Sequence, residues 1–288
     1  MQPESRGVDG THSLRLHLLE WSSDGVPLLL LHGFGNDAHI WDDFAPSVAP
    51  FYRTLALDHR GHGDSAWDPQ RRYDVENLAD DVEAVTAQLG IERLVVIGHS
   101  LGGRVATLFA GRHPERMAGL VIVDVGPEVD ARGRMRIRMD VESRPTPLYA
   151  SEAEYARDLS LAYPAARPDV LARMAHHGLR RRPDGLLELK MDPALRSNFG
   201  AASVTPAEAE AREREMEKAM WQALARISCP TLVVRGAASD ILAPDVADRM
   251  VEAALPKGQL AVVARAGHSV MTDNPDGFRE AVCAFVLS

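Results

Sequence analysis

The stretch Arg93-Leu94-Val95-Val96-Ile97-Gly98-His99-Ser100-Leu101-Gly102-Gly103-Arg104-Val105-Ala106 decides how this chain folds. It begins as a β-branched and leucine run long enough for a buried strand, and it continues as an apolar helix through Leu108, Phe109 and Ala110. A strand that turns abruptly into a helix strains the residue at the turn and raises its side chain above the sheet. Gly98 and Gly102 flank that residue at two places on either side, where a Cβ would collide with a neighbouring strand or helix. The raised residue is Ser100, a usable nucleophile only with a base nearby. Alone, G-x-S-x-G is a weak signal; between a buried strand and an apolar helix it is a strong one.

Outward from this turn the pattern alternates. Ser13 to Trp21 reads as a strand, with Leu14, Leu16 and Leu18 alternating against Arg15 and His17. Asp24-Gly25 signals a hairpin, and Val26 to Leu31 is a continuous apolar strand ending in His32-Gly33-Phe34-Gly35-Asn36. Ile40, Trp41, Phe44 and Val48 give Asp37 to Val48 a helical spacing. Tyr52 to Leu57 is a strand that runs into Asp58-His59-Arg60-Gly61-His62-Gly63-Asp64-Ser65. Val75 to Leu89 carries a helical apolar stripe that Gly90 ends. Met117 to Val123 is another buried strand, ending in Asp124. Strands alternating with helices predict parallel pairing through right-handed crossovers.

The alternation stops after Pro127. Residues 127–226 hold helical segments at Ser151–Tyr163, Pro168–Gly178 and Pro206–Arg226, with Leu186 to Met191 as a short strand or loop. It resumes with the strand Thr231 to Val234, the loop Gly236-Ala237-Ala238-Ser239-Asp240 and the helix Pro244 to Leu255. The strand Leu260 to Val263, the loop Ala266-Gly267-His268 and a last helix from Pro275 follow. The expected domains are therefore a core of 1–126 with 227–288 and a helical cap inserted at 127–226.

Ser100, Asp240 and His268 each lie just past the carboxyl end of an expected strand, on the rim where open parallel sheets bind ligands. A histidine can take the serine proton near neutral pH, and a carboxylate on its far nitrogen fixes the tautomer and stabilises the imidazolium.

With His32-Gly33-Phe34, the Asp58–Ser65 segment, Gly98-His99-Ser100-Leu101-Gly102, Gly236-x-x-x-Asp240 and Gly267-His268, the chain resembles the capped α/β-hydrolase superfamily in its serine-nucleophile, esterase- and lactonase-like branch. The resemblance covers nearly all of the chain outside the cap. It implies an α/β fold: a mostly parallel central sheet of about eight strands, flanked by helices, with an inserted helical cap. It also implies that Phe34 and Leu101 supply backbone N–H groups to an oxyanion hole. Fixed donors there are worth about 10²–10³ in rate each. In the usual arrangement the acid follows the penultimate strand, which favours Asp240. Asp124, which ends the strand after the nucleophile's, is the alternative, because some relatives place the acid there.

The expected activity is hydrolysis of a small carboxylic ester or lactone through an acyl-enzyme, without cofactor or metal. Serine at the nucleophile position excludes the haloalkane dehalogenase and epoxide hydrolase branches, which need aspartate there. The same residues serve carbon–carbon, enol-lactone and small-amide hydrolases and cofactor-free haloperoxidases, and a few relatives are non-catalytic receptors. Gly35-Asn36 departs from the ring-cleavage carbon–carbon hydrolases.

Other features bound this reading. The net charge of −9 argues against nucleic acid or an anionic membrane as partner. Two cysteines, Cys229 and Cys283, give no disulfide framework, and the polar first ten residues hold no signal-peptide core, so a cytoplasmic setting is expected. His32, His59 and His62 read as scaffold. His99, Trp41, Trp221 and Met271 are candidates for a pocket lining, although core packing accounts for them equally well. His176-His177 lacks a third ligand at metal spacing. Arg132, Arg134, Arg136 and Arg138 read as a solvated face, or as a contact for an anionic substrate group.

Overall fold

The computed structural model describes residues 2–143, 147–199 and 206–288. An eight-stranded sheet runs through the molecule. In chain order its first strands are β1 (Glu4–Asp9), β2 (Arg15–Glu20) and β3 (Val26–Leu31). After a single 3₁₀ turn (Ala38–Trp41) come α1 (Ala45–Val48), β4 (Tyr52–Leu57), α2 (Val75–Gln88), β5 (Leu94–His99), α3 (Leu101–Arg112) and β6 (Met117–Val123).

A long segment follows before the sheet resumes. It holds α4 (Ala131–Ser143), β7 (Leu148–Tyr149), α5 (Glu152–Ala162), α6 (Pro168–Gly178), β8 (Leu179–Arg181), β9 (Leu187–Leu189), α7 (Pro193–Phe199) and α8 (Pro206–Leu224). The chain re-enters the sheet as β10 (Thr231–Gly236), then forms α9 (Pro244–Arg249), β11 (Gly258–Val263), α10 (Val270–Asp273) and α11 (Pro275–Val286).

The strand order is β1-β2-β4-β3-β5-β6-β10-β11. From β4 to β11 every neighbouring pair is parallel, and β2 pairs antiparallel with both β1 and β4. The expected α/β-hydrolase architecture is confirmed. The central strands read as unbroken apolar runs because helices cover both faces of the sheet, so Leu28, Leu30 and Leu31 of β3 and Leu94, Val96 and Ile97 of β5 are completely buried. One apolar layer packs α2, α3 and the end of α8 on one face, through Leu78, Val82, Val105, Phe109 and Leu224. The other packs the 3₁₀ turn, α1 and α11 through Trp41, Phe44, Val48, Phe278 and Val282.

Three local outcomes differ from the sequence expectation. The helix expected over Asp37 to Val48 is split into the 3₁₀ turn, capped by the Asp37 carboxylate on the His39 N–H, and the single turn α1. The segment between β6 and β10 is not purely helical, since β7, β9 and β8 form a small antiparallel sheet. The polar start of the chain becomes edge strand β1, which buries only Val8.

Candidate active site

Ser100 sits between β5 and α3 at φ 51° and ψ −115°, a region that L-residues occupy only when the surroundings impose it. The surroundings here are two close approaches. A Cβ at Gly98 would strike the Gly102 carbonyl, and one at Gly102 would strike the Leu31 carbonyl of β3. The glycine pair thus lets α3 start directly over the sheet. Ser100 N–H donates to the Val123 carbonyl at 3.0 Å, which ties the turn to β6.

His268 lies in the loop between β11 and α10. Its Nε2 is 2.9 Å from Ser100 Oγ, and its Nδ1 is 2.8 Å from Asp124 Oδ2. A carboxylate accepts, so Nδ1–H donates to Asp124 and Nε2 is left to accept from the serine hydroxyl. Asp124 follows β6, is completely buried, and has φ 53°. Gly236 N–H donates to its Oδ1 at 2.8 Å and Ser239 Oγ–H to its Oδ2 at 2.6 Å.

The sequence reading preferred Asp240 as the histidine's partner, and the structure corrects it: Asp124 occupies that place. Asp240 instead receives a bidentate bond from Arg136 at 2.6 and 2.9 Å. That guanidinium, first among several causes, holds its carboxyl below the ordinary carboxylate range. The reason is topological. β6 lies between β5 and β10, so a residue at its tip stands beside the Ser100 turn. Asp240 lies four residues beyond the end of β10, on a loop whose Gly236 and Ser239 serve to hold the Asp124 carboxylate. The missed signal was the absence of any spacer between the last apolar residue of β6 and Asp124.

A family model described as the alpha/beta hydrolase fold matches residues 26–275. The chain belongs to the α/β-hydrolase family. It is 29% identical over 283 residues to the esterase Rv0045c of Mycobacterium tuberculosis, covering 96% of this chain and 87% of that protein. It is also 29% identical over 274 residues to a pimeloyl-[acyl-carrier protein] methyl ester esterase of Aeromonas hydrophila, covering 93% of this chain and 98% of that one. A solved α/β hydrolase from Novosphingobium aromaticivorans superimposes with a TM-score of 0.81 at 31% identity, covering 99% of this chain and 98% of that one. The protein is an enzyme, a hydrolase of the esterase-like kind.

Around the turn of this α/β hydrolase, His32 joins two loops: its Nδ1–H donates to the Gly33 carbonyl at 2.8 Å, and its Nε2 accepts from His59 N–H at 3.0 Å. The Asp58–Ser65 segment is locked by Arg60, buried completely and bonded to Asp81 at 2.6 Å and Asp68 at 3.2 Å. Burial, first among the causes, pushes His59 down to about 3 and His62 down to about 4.

The surroundings of the four candidate pocket residues differ. Trp41 and Met271 are buried in the core layer with Phe44 and Phe278. Trp221 donates its indole N–H to Glu128 at 3.1 Å and lies under Arg249. His99 is buried and bonded to the backbone of His268. Of the arginine series, Arg132 pairs with Asp130, Arg134 with Glu213 and Arg136 with Asp240; the Arg138 side chain lies outside the described ones.

His177 does find neighbours the sequence did not announce, His39 and Asp42. The two rings stack at 3.4 Å with an interplanar angle of 13°. Ring lone pairs lie in the ring planes, so an ion in the plane of one ring would stand off the plane of the other. The face-to-face stack is instead a packing contact between the two imidazoles. Partial burial, first among its causes, pushes His177 down to about 4; at half-buried His39 the burial that would lower it is outweighed by the Asp42 carboxylate, which brings it above its ordinary value.

Proposed function

We propose that this enzyme hydrolyses small carboxylic esters through an acyl-enzyme, with Ser100 as nucleophile, His268 as general base and acid, and Asp124 as the carboxylate that orients His268. The observation that carries this reading is the unbroken hydrogen-bonded line from Ser100 Oγ through His268 to Asp124, at 2.9 and 2.8 Å. Asp240 is not part of it, and the esterase relatives agree in reaction class.

The steps follow from the atoms. Ser100 Oγ attacks the ester carbonyl carbon while His268 Nε2 takes its proton. The imidazolium that forms is stabilised by Asp124 on the far nitrogen. Negative charge gathers on the former carbonyl oxygen. Leu101 N–H faces it from the first turn of α3, where backbone donors have no intrahelical acceptor, and Phe34 N–H is the proposed second donor. Collapse expels the alcohol, which takes the proton back from His268. Water activated by the same nitrogen then releases the acid.

Residues 127–226 are proposed to act as the cap over this rim, since they enter after β6, carry Asp240's partner Arg136 on α4, and return at β10. A cytoplasmic setting is part of the proposal, because both cysteines are free. No helix among the described residues is long and apolar enough to cross a membrane.

A fluorophosphonate probe should modify Ser100, as located by peptide mass spectrometry, and the Ser100→Ala protein should stay unlabelled. Turnover of p-nitrophenyl esters from acetate to decanoate should appear at one or more chain lengths. An unlabelled native enzyme, or none of these esters cleaved, would count against the esterase reading.

A further inference from the structure

His99 precedes the nucleophile and closes β5, and nothing in the proposed chemistry uses its side chain. The ring is nonetheless placed where three parts of the site meet. Its Nε2 is 2.9 Å from the backbone carbonyl of His268, and the two rings lie 4.8 Å apart between centroids. On its other edge the ring fills the space beside Gly33: a Cβ there would stand 2.7 Å from His99 Nδ1 and 3.3 Å from the Ser100 Cβ. Gly33 is in the His32-Gly33-Phe34 loop proposed to supply an oxyanion donor. The ring therefore sits on the nucleophile strand, against that loop, and bonded to the histidine loop.

The hydrogen-bond accounting fixes its chemical form. A carbonyl oxygen only accepts, so Nε2 carries the proton and donates. Nδ1 is then bare, and it is buried without a partner. Burial, the leading cause, holds the ring's pKa down at about 3, so His99 is neutral throughout the working range. Buried polar atoms are normally paired, and in this ring only Nε2 is.

We infer that His99 is a positioning residue for the hydrolytic reaction: its Nε2–H fixes the backbone of His268 while its ring spaces the Gly33 loop. His268 is then held from two sides, by Asp124 through its ring and by His99 through its main chain. A general base works only within hydrogen-bond reach of the proton it takes, and small misplacements are costly. The inference rests on the Ser100–His268–Asp124 reading above.

The test compares His99→Leu, which removes the donor, with His99→Gln, which keeps an N–H donor near the same place. For the ester that the native enzyme cleaves, His99→Leu should lower kcat by roughly 10–100-fold with KM within about twofold. His99→Gln should recover most of the loss. Equal kcat values for the two variants, or a His99→Leu enzyme as fast as the native one, would overturn the inference. Should neither variant fold, ¹⁵N spectra of the native protein decide. His99 should show a protonated Nε2 and a bare Nδ1 from pH 5 to 8; the opposite tautomer, or titration in that range, would contradict it. Failure of the triad reading itself looks different: activity would survive Ser100→Ala whatever stands at position 99.

Discussion

Asp124, the proposed orienting carboxylate, shows how much of a side chain's behaviour is set by its neighbours. Its Oδ2 accepts from both His268 and Ser239, and its Oδ1 from the Gly236 main chain. Ser239 Oγ in turn accepts from the Ile241 and Leu242 N–H groups at 3.1 Å each. Replacing Ser239 by Ala would free the carboxylate from one donor and leave two buried N–H groups short of an acceptor. We expect Ser239→Ala to cost about 1–3 kcal/mol in urea unfolding, as stranded buried donors do. In ester turnover its kcat should fall roughly tenfold while KM changes little, because the loss is in orientation. At the same scale, Asp240 stands at a plausible place on the rim, but the Arg136 guanidinium engages both of its carboxylate oxygens.

Among the elements, the strand–turn–helix of β5 and α3 carries the tightest constraint. Backbone atoms of β3 occupy the place where a Gly102 side chain would sit. Gly102→Val must push α3 off the sheet, and backbone cannot yield as a flexible side chain does. We expect loss of several kcal/mol of stability, beyond the ~1–3 kcal/mol of ordinary overpacking, read as a depressed Tm or failure to fold. This element was legible in the sequence because each of its demands is local: an apolar run, small residues two places away, an apolar helix. The parallel strands were legible for a related reason, since burial on both faces makes them uninterrupted in Val, Leu and Ile. Strand β1 was not, because an exposed edge tolerates Glu4, Arg6 and Asp9 and leaves only Val8 as an inward signal. Nor were β7 and β8, whose two and three residues are too short for any period to show. The acid was half legible. Both carboxylates could be placed on the correct rim, but which of them meets His268 depends on strand order, with β6 beside β5 and β10 one strand further out.

For the whole molecule, the feature with the broadest consequence is the set of buried neutral histidines. His59 and His99 are held at about 3 and His62 at about 4, with burial the first cause in each. Unfolded, each would titrate near 6.5. Between those values the unfolded chain binds more protons than the native one, so acid favours unfolding. The native state keeps its full advantage above about pH 6.5 and loses it as pH falls towards 3–4, by about 1.4 kcal/mol per pH unit for each such histidine. Unfolding free energies measured in urea at pH 7, 6, 5.5 and 5 should therefore fall, though by less than the histidines alone would give, because burial raises the Asp37 carboxyl to about 7 and that group acts in the opposite sense. His62→Asn should flatten that slope by about one histidine's share, whatever its stability at pH 7. A native slope near zero over this interval would contradict the burial of these rings in neutral form.

The assignment of the acid is the point at which the proposed mechanism is most exposed, and one kinetic comparison tests it: kcat/KM for Asp124→Asn and Asp240→Asn, measured side by side on the same ester. Asparagine at 124 keeps the shape but presents an uncharged amide to His268, so activity should drop by about 10⁴-fold, as it does when the orienting carboxylate of such a triad is lost. Asparagine at 240 only loosens the contact with Arg136, and activity should stay within about threefold, the small effect expected of a partly exposed ion pair. A crippled Asp240→Asn enzyme beside an active Asp124→Asn enzyme would contradict the account.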